Sequence, residues 1–505
     1  MNLSREAWAR IATAANAERL ALDSALAGGG AQQRGLLTEI LRANASTAFG
    51  VEHGFADIED IDDYRRRVPL RRDIEYRPWL DRVADGERQV LTRAPAVAFE
   101  STGGTAGAKL IPYTEASLAA FRRGVLPWLS YLLDRFPRIT EGLAYVAASP
   151  VTRAARQLPC GLPLGLPSDA AYLGADLLPA LSQVITIPPS TGEITRWRIS
   201  TLAHLARRPE LSLISIWSPT FLLELLDALP RNAESVLAEL HGNTQAARRL
   251  ERALTRVDGL TTELWPQLQV VSLWMDGASR PYAQRVAELL PGVHLDAKGV
   301  LATESVITVR TGAGVVPAVT SAFLEFLDDD GSHLSHELRA GHRYRVALTT
   351  PGGLYRYDIG DEFECTAMNA GVPQLQFAGR AGVVSDLVGE KLTDSFVAGA
   401  LSPLPAGASL VPRAAPTPHY ELWLDTAKAE EGLAARIDAR LGENPQYAYA
   451  RQLGQLRELQ IVCSPGFAQY RARRLAAQGG RLGDAKSCAL ILDPLLLPST
   501  GGYIE

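Results

Sequence analysis

At 505 residues the chain exceeds the roughly 250–300 at which one hydrophobic core stops growing, so two or more domains are expected. Apolar residues at 47% and charged residues at 21% exclude extensive disorder. A formal net charge of -5 supplies no global positive field to recruit nucleic acid or anionic lipid.

Residues 5–26 place Ala, Leu and Ile at helical spacing and run into Gly28-Gly29-Gly30, which suits a helix terminus. The first 20 residues scatter charge where a signal peptide needs a continuous apolar stretch. No segment reaches the roughly 18 apolar residues of a membrane-crossing helix. The four cysteines, Cys160, Cys365, Cys463 and Cys488, form no CxxC pair. A soluble, cytoplasmic protein without a zinc site or disulfide framework is therefore expected, with no nucleic-acid or membrane partner. The basic runs Tyr64-Arg65-Arg66-Arg67 and Arg471-Ala472-Arg473-Arg474 read as solvated helix faces.

From about residue 90, short β-branched runs alternate with helical stretches at 114–135, 220–229 and 280–290. Strands are predicted at 143–148, 211–217, 269–274, 322–327 and 344–349. This alternation predicts an α/β domain. After Phe377-Ala378-Gly379-Arg380 the character shifts, and a Pro- and Ala-rich stretch at 402–418 leads into a strand at 420–424 and a helix at 427–442. A domain boundary is expected between about 380 and 392, giving a large unit over 1–384 and a small one over 385–505.

Three segments carry chemistry. The first is Ser101-Thr102-Gly103-Gly104-Thr105-Ala106-Gly107-Ala108-Lys109. Its glycines let the backbone approach an anion, the hydroxyls of Ser101, Thr102 and Thr105 can donate to phosphate oxygens, and Lys109 supplies charge. It lacks Walker A spacing, and Leu110 stands where a magnesium-binding hydroxyl would be. Taken alone, it reads equally as a glycine-rich turn. The second is Gly353-Leu354-Tyr355-Arg356-Tyr357-Asp358-Ile359-Gly360-Asp361, where an aspartate after a glycine turn at a strand end can accept from two vicinal ribose hydroxyls. Its bland reading is a tight turn with solvated carboxylates. The third is Lys298-Gly299-Val300-Leu301-Ala302-Thr303-Glu304, whose carboxylate can ligate magnesium. Glu304 could equally be a helix N-terminal residue complementing the dipole.

These segments and the later Gly379-Arg380 come in the order used by acyl-adenylate-forming enzymes. The chain resembles, as a bacterial relative, the Gretchen Hagen family of acyl acid amido synthetases. Further support comes from Ile214-Ser215-Ile216-Trp217-Ser218-Pro219-Thr220-Phe221-Leu222, Trp274-Met275-Asp276-Gly277 and Phe323-Leu324-Glu325-Phe326. Val384-Ser385-Asp386-Leu387-Val388-Gly389-Glu390-Lys391-Leu392 and Gly479-Gly480-Arg481-Leu482-Gly483-Asp484-Ala485-Lys486 complete it.

The resemblance implies a large N-terminal α/β domain of acyl-adenylate-forming type and a smaller, mobile α/β C-terminal domain. It implies ATP and Mg2+ as cofactors, with ATP phosphates held at Ser101, Thr102, Gly103, Gly104, Thr105, Gly107 and Lys109. It implies nucleotide contacts from Thr303 and Asp361, magnesium at Glu304, and catalytic lysines at Lys391 and Lys486. Val300 replaces an aromatic residue of the family motif and Thr303 a serine. The implied reaction activates a small carboxylic acid as its acyl-adenylate and transfers it to an amine. Transfer to coenzyme A or a carrier-protein thiol, and a catalytically silent nucleotide-binding protein, are the alternatives. Residues 217–222 either line the acid pocket or belong to the core.

Overall fold

The computed structural model describes residues 2–104, 107–146, 156–166, 172–189, 193–275, 280–380, 384–404, 408–467, 470–471 and 489–498. The chain divides into two compact units, residues 1–101 with 110–379, and residues 102–109 with 380–505.

The first unit contains a five-stranded parallel sheet ordered Ile185–Thr186, Leu143–Val146, Leu211–Ser215, Val270–Leu273 and His294–Ala297. Leu211–Ser215 is buried at every position, as a central parallel strand covered on both faces must be. The helices Asn2–Ala27, Glu115–Arg135 and Leu178–Val184 bring Trp8, Ile11, Leu129, Leu133, Leu181 and Val184 into one apolar cluster with Ala144, Leu213 and Val270 of the sheet. Thr114 caps the second of these helices by accepting from the Ser117 amide at 3.2 Å, and the Ser117 hydroxyl accepts from the Thr114 amide in return.

A five-stranded antiparallel sheet runs in the order Gly331–His333, Phe323–Asp328, Arg343–Thr349, Tyr357–Asn369, Val372–Arg380. Here the second chemical segment departs from expectation. Gly360 and Asp361 do not form a turn at a strand end but lie inside the 13-residue strand Tyr357–Asn369. Arg345 pairs with Glu362 while Ala347 pairs with Asp358, so three residues oppose one and the strand bulges. Gly360, at φ 75°, supplies the left-handed conformation that the bulge needs.

Tyr355-Arg356-Tyr357 proves to be a packing node. The Tyr355 hydroxyl donates to the Leu91 carbonyl at 2.6 Å, Tyr76 bonds both the amide and the carbonyl of Tyr355, and Phe49 stacks on its ring at 4.9 Å. Arg356 pairs with Glu325, which is fully buried, at 3.0 Å, and also donates to the carbonyls of Arg65 and Val68. Two stretches that support the family resemblance therefore meet in one buried ion pair.

The basic runs are not wholly solvated. Arg65 turns inward to Glu325 at 3.2 Å, and Arg471 is buried, bonding the Ser409 hydroxyl. Residues 472–474 lie outside the described residues.

In the second unit Ser409–Arg413, His419–Leu424 and Gln460–Cys463 form a three-stranded sheet, packed by Asp394–Leu401, Leu433–Leu441 and Pro445–Gln452. The Pro- and Ala-rich stretch thus contains a strand, which Leu410 and Val411 anchor in apolar clusters. The helix expected from 427 begins only at Leu433, after Gly432 at φ 74°.

Candidate active site

The glycine-rich segment falls on two neighbouring strands, Ala98–Gly104 and Gly107–Tyr113, with Phe99 paired to Leu164 on the other side. The side chains of Ser101, Thr102, Thr105 and Lys109 lie outside the described residues, as do residue 105 itself, Asp276-Gly277 and the whole stretch around Lys486.

Thr303 and Glu304 occupy the tip of a tight turn, not the start of a helix. Leu301 and Val306 bridge antiparallel at its base, and the Ala302 amide donates to the Ser305 carbonyl at 2.9 Å. Tyr113, at the end of the strand Gly107–Tyr113, donates its hydroxyl to the Thr303 carbonyl at 2.7 Å and pins the tip. Burial pushes the Tyr113 phenol far up, so it remains a donor. Ser305, buried beneath, meets Ser321 at 3.2 Å. Val300 is also buried and its amide donates to Thr308 Oγ1 at 2.8 Å. Glu304 itself is half-buried at this tip. Among the described residues there is no cluster of three or more His, Cys, Asp or Glu for a metal. One carboxylate completed by substrate phosphates and water is, however, a usual magnesium donor set, so Glu304 fits that ion.

Asp361 is buried on the antiparallel sheet, one residue past the Gly360 bulge. Its neighbour Asp358 is held by Arg72 at 3.2 Å and Arg345 at 3.0 Å and accepts from the Gly360 amide at 2.9 Å, which fixes the bulge. The bland reading of solvated carboxylates fails for both residues.

Lys391 lies in the second unit at φ 49°, a conformation costly for a residue with a Cβ. It follows Glu390, which is fully buried and accepts from the amides of Leu387 and Val388 at 2.8 Å each and from the Tyr420 hydroxyl. Burial, with Asp386 adding to it, pushes the Glu390 carboxyl up to about 7. The sequence gives no cue to Glu390 beyond its place beside Lys391, because its role as a loop anchor depends on Tyr420, thirty residues away.

Near the Thr303–Glu304 turn the first unit carries a half-open apolar pocket of about 140 Å3. Leu301 and Val306, the bridging pair at the base of the turn, line it, together with Trp8, Trp128, Trp217 and Lys298. Of the stretch at 217–222, Trp217 faces this cavity, whereas Phe221 and Leu222 are core, with Phe221 against Trp197 at 5.3 Å. Gly124 permits the helix to approach here, since a Cβ would stand 2.5 Å from Val306. Lys298 was legible only as part of a motif. Its neighbours Trp128 and Trp217 come from distant segments.

The fold is that of adenylate-forming enzymes. The solved structure of AtGH3.15 acyl acid amido synthetase in complex with 2,4-DB is similar over 96% of this chain and 95% of its own, with TM-score 0.67 and 18% identity. A 2-hydroxyisobutyryl-CoA ligase is similar over 93% and 89%, with TM-score 0.56 and 16% identity. Residues 21–295 match the GH3 family N-terminal domain and residues 315–380 the GH3 family central domain; the chain belongs to the GH3 family. Its relatives include indole-3-acetic acid-amido synthetase GH3.10 of Arabidopsis thaliana, 24% identical over 71% of this chain and 72% of that protein. Jasmonoyl--L-amino acid synthetase GH3.5 of Oryza sativa subsp. japonica is 24% identical over 72% of each. Among the described residues no helix is long and apolar enough to cross a membrane.

Proposed function

We propose that this chain is an ATP-dependent acyl acid amido synthetase. Its family membership across residues 21–295 and 315–380 is the observation that carries this reading. A carboxylate oxygen of the acid attacks the α-phosphorus of ATP, the bond to the β-phosphate oxygen breaks, and pyrophosphate leaves with the electron pair. An amine then attacks the carbonyl carbon of the acyl-adenylate, the C–O bond breaks, AMP leaves, and the amine proton passes to solvent. The chain's work is to position two anions and shield their charge.

In this reading the segment from Ser101 to Lys109 cradles the ATP phosphates and Asp361 accepts from the ribose hydroxyls. Thr303 contacts the nucleotide from the turn tip held by Tyr113. Glu304 would hold magnesium, which when bound neutralises phosphate charge. Lys391 and Lys486 neutralise charge between carboxylate and α-phosphate, Lys486 through closure of the small C-terminal domain. The strained backbone at Lys391, anchored by buried Glu390, suits a residue held in one orientation.

The competing acceptor is a thiol of coenzyme A or a carrier protein. The relatives named as amido and amino acid synthetases favour the amine. Pyrophosphate release is measured against a panel of acids, and amino acids or coenzyme A are then supplied. AMP release with amino acids and not with coenzyme A is expected. ATP binding without turnover on any acid would leave a silent nucleotide-binding protein instead.

A further inference from the structure

We infer that Asp296 is a positioning residue of the acid pocket: it holds the indole of Trp128 as a fixed wall of that pocket and so sets which acids fit. The inference rests on the reading that the chain adenylates an acid.

The sheet topology marks the pocket as a ligand site. Residues of Leu143–Val146, Ile185–Thr186 and Leu211–Ser215 line it. The second of these strands lies on one side of the first and the third on the other, and open α/β sheets bind ligands at such a reversal, beyond the carboxyl ends of the strands. Near those ends three polar residues interrupt apolar strands: Ser215 is the register partner of Ser272, and Ser272 of Asp296. Ser215 lines the pocket directly. Asp296, 2% exposed, lies behind the lining, where its Oδ2 accepts from the Trp128 indole N–H at 3.2 Å and from the Ser272 hydroxyl at 3.4 Å. Trp128, on the helix Glu115–Arg135, is itself part of the pocket wall.

A buried carboxylate is costly, and an apolar residue would serve packing alone as well. Burial pushes the Asp296 carboxyl up, and the Trp128 N–H is the foremost interaction opposing that rise, ahead of Arg310, His294 and Ser272. The Lys298 ammonium also stands near the Trp128 ring, 5.1 Å from its centroid. A cation over a ring face leaves rotation within the ring plane open, whereas a hydrogen bond at Nε1 fixes it. Held at its N–H, the indole has its bound orientation before an acid arrives, so the acid does not bear the cost of ordering it. The effect of Asp296 therefore falls on acid capture and on discrimination by acid size.

The test measures ATP–pyrophosphate exchange with straight-chain acids from acetate to decanoate, phenylacetate and indole-3-acetate. Asp296→Val removes the acceptor and leaves a β-branched side chain suited to a strand. It is expected to raise KM for the best acid about 3- to 10-fold, the cost of ordering one side chain on binding. It should also narrow the KM differences between acids of different size, while KM for ATP changes little. Asp296→Asn should retain most of the acid affinity, because its amide oxygen still accepts from the indole. In a Trp128→Phe background, which has no N–H to hold, Asp296→Val should add nothing. An unchanged acid KM in Asp296→Val, or the same rise in the Trp128→Phe background, would overturn the assignment and leave the amido synthetase reading intact. A parallel rise in KM for ATP and for the acid would mean a general structural role and overturn it too. If Asp296→Val does not fold, Trp128→Phe decides alone: altered selectivity by acid size supports the fixed wall, and unaltered selectivity overturns it. No exchange by the unaltered protein with any acid would remove both readings.

Discussion

Removing the carboxylate of Glu325 should be among the most destabilising single changes in the large unit. Glu325 is fully buried, and its oxygens serve Arg356 at 3.0 Å, Arg65 at 3.2 Å and the Ser332 hydroxyl at 2.7 Å. The Arg356 side chain, only 8% exposed, cannot turn to water when its partner is deleted. Breaking a buried pair from one side costs about 3–5 kcal/mol, because the remaining charge is left uncompensated. Arg65, 22% exposed, can recover hydration, so its loss adds little. Glu325→Ala is therefore expected to lower the unfolding free energy of the first unit by about 3–5 kcal/mol in urea titration followed by tryptophan fluorescence. Replacing both partners, Glu325→Leu with Arg356→Met, should recover most of the loss, since an apolar pair of similar volume leaves no orphan charge. A loss below about 1 kcal/mol in the single variant, or a double variant no better than the single, would refute the account.

Asp361→Ala should weaken ATP binding by about 1.5–3 kcal/mol, the worth of hydrogen bonds to a charged group, without unfolding the protein; calorimetric titration with unchanged affinity would remove Asp361 from the site. Glu304→Gln should raise the magnesium concentration needed for half-maximal pyrophosphate release, because an amide is a poorer ligand for a hard cation, and an unaltered dependence would count against it. Lys486→Ala should abolish pyrophosphate release and spare amide formation from a supplied acyl-adenylate; loss of both half-reactions, or of neither, would contradict a role in adenylation alone. Glu390, raised from 4.5 to about 7, binds its proton more tightly folded than unfolded. The second unit should therefore lose stability as pH rises from about 4.5 to about 7 and level off above. Glu390→Gln should flatten that slope in denaturant titrations, and a persistent slope would assign it to other groups.

Much of the parallel sheet was legible in the sequence because its strands are short, continuous apolar runs between helices of regular period. The strands predicted at 211–217 and 269–274 appear as Leu211–Ser215 and Val270–Leu273, and the helix at 114–135 starts at its Thr114 cap. Order along the chain also carried the family resemblance. It could not separate chemistry from packing within a motif: Tyr355 and Arg356 are held by Leu91, Tyr76 and Glu325, residues remote in sequence. Nor could local pattern show that Gly360 makes a bulge inside a strand, since that depends on which residues of 343–349 it faces. The turn carrying Thr303 and Glu304 needs Tyr113, the orientation of Lys391 needs Glu390 and Tyr420, and Lys298 acquires its cavity from Trp128 and Trp217. Periodicity records which faces of an element are apolar, so the sequence by itself determined those strands and helices whose apolar pattern is regular, and their order. Long-range burial sets the environment of each charge, and only the tertiary structure decided that.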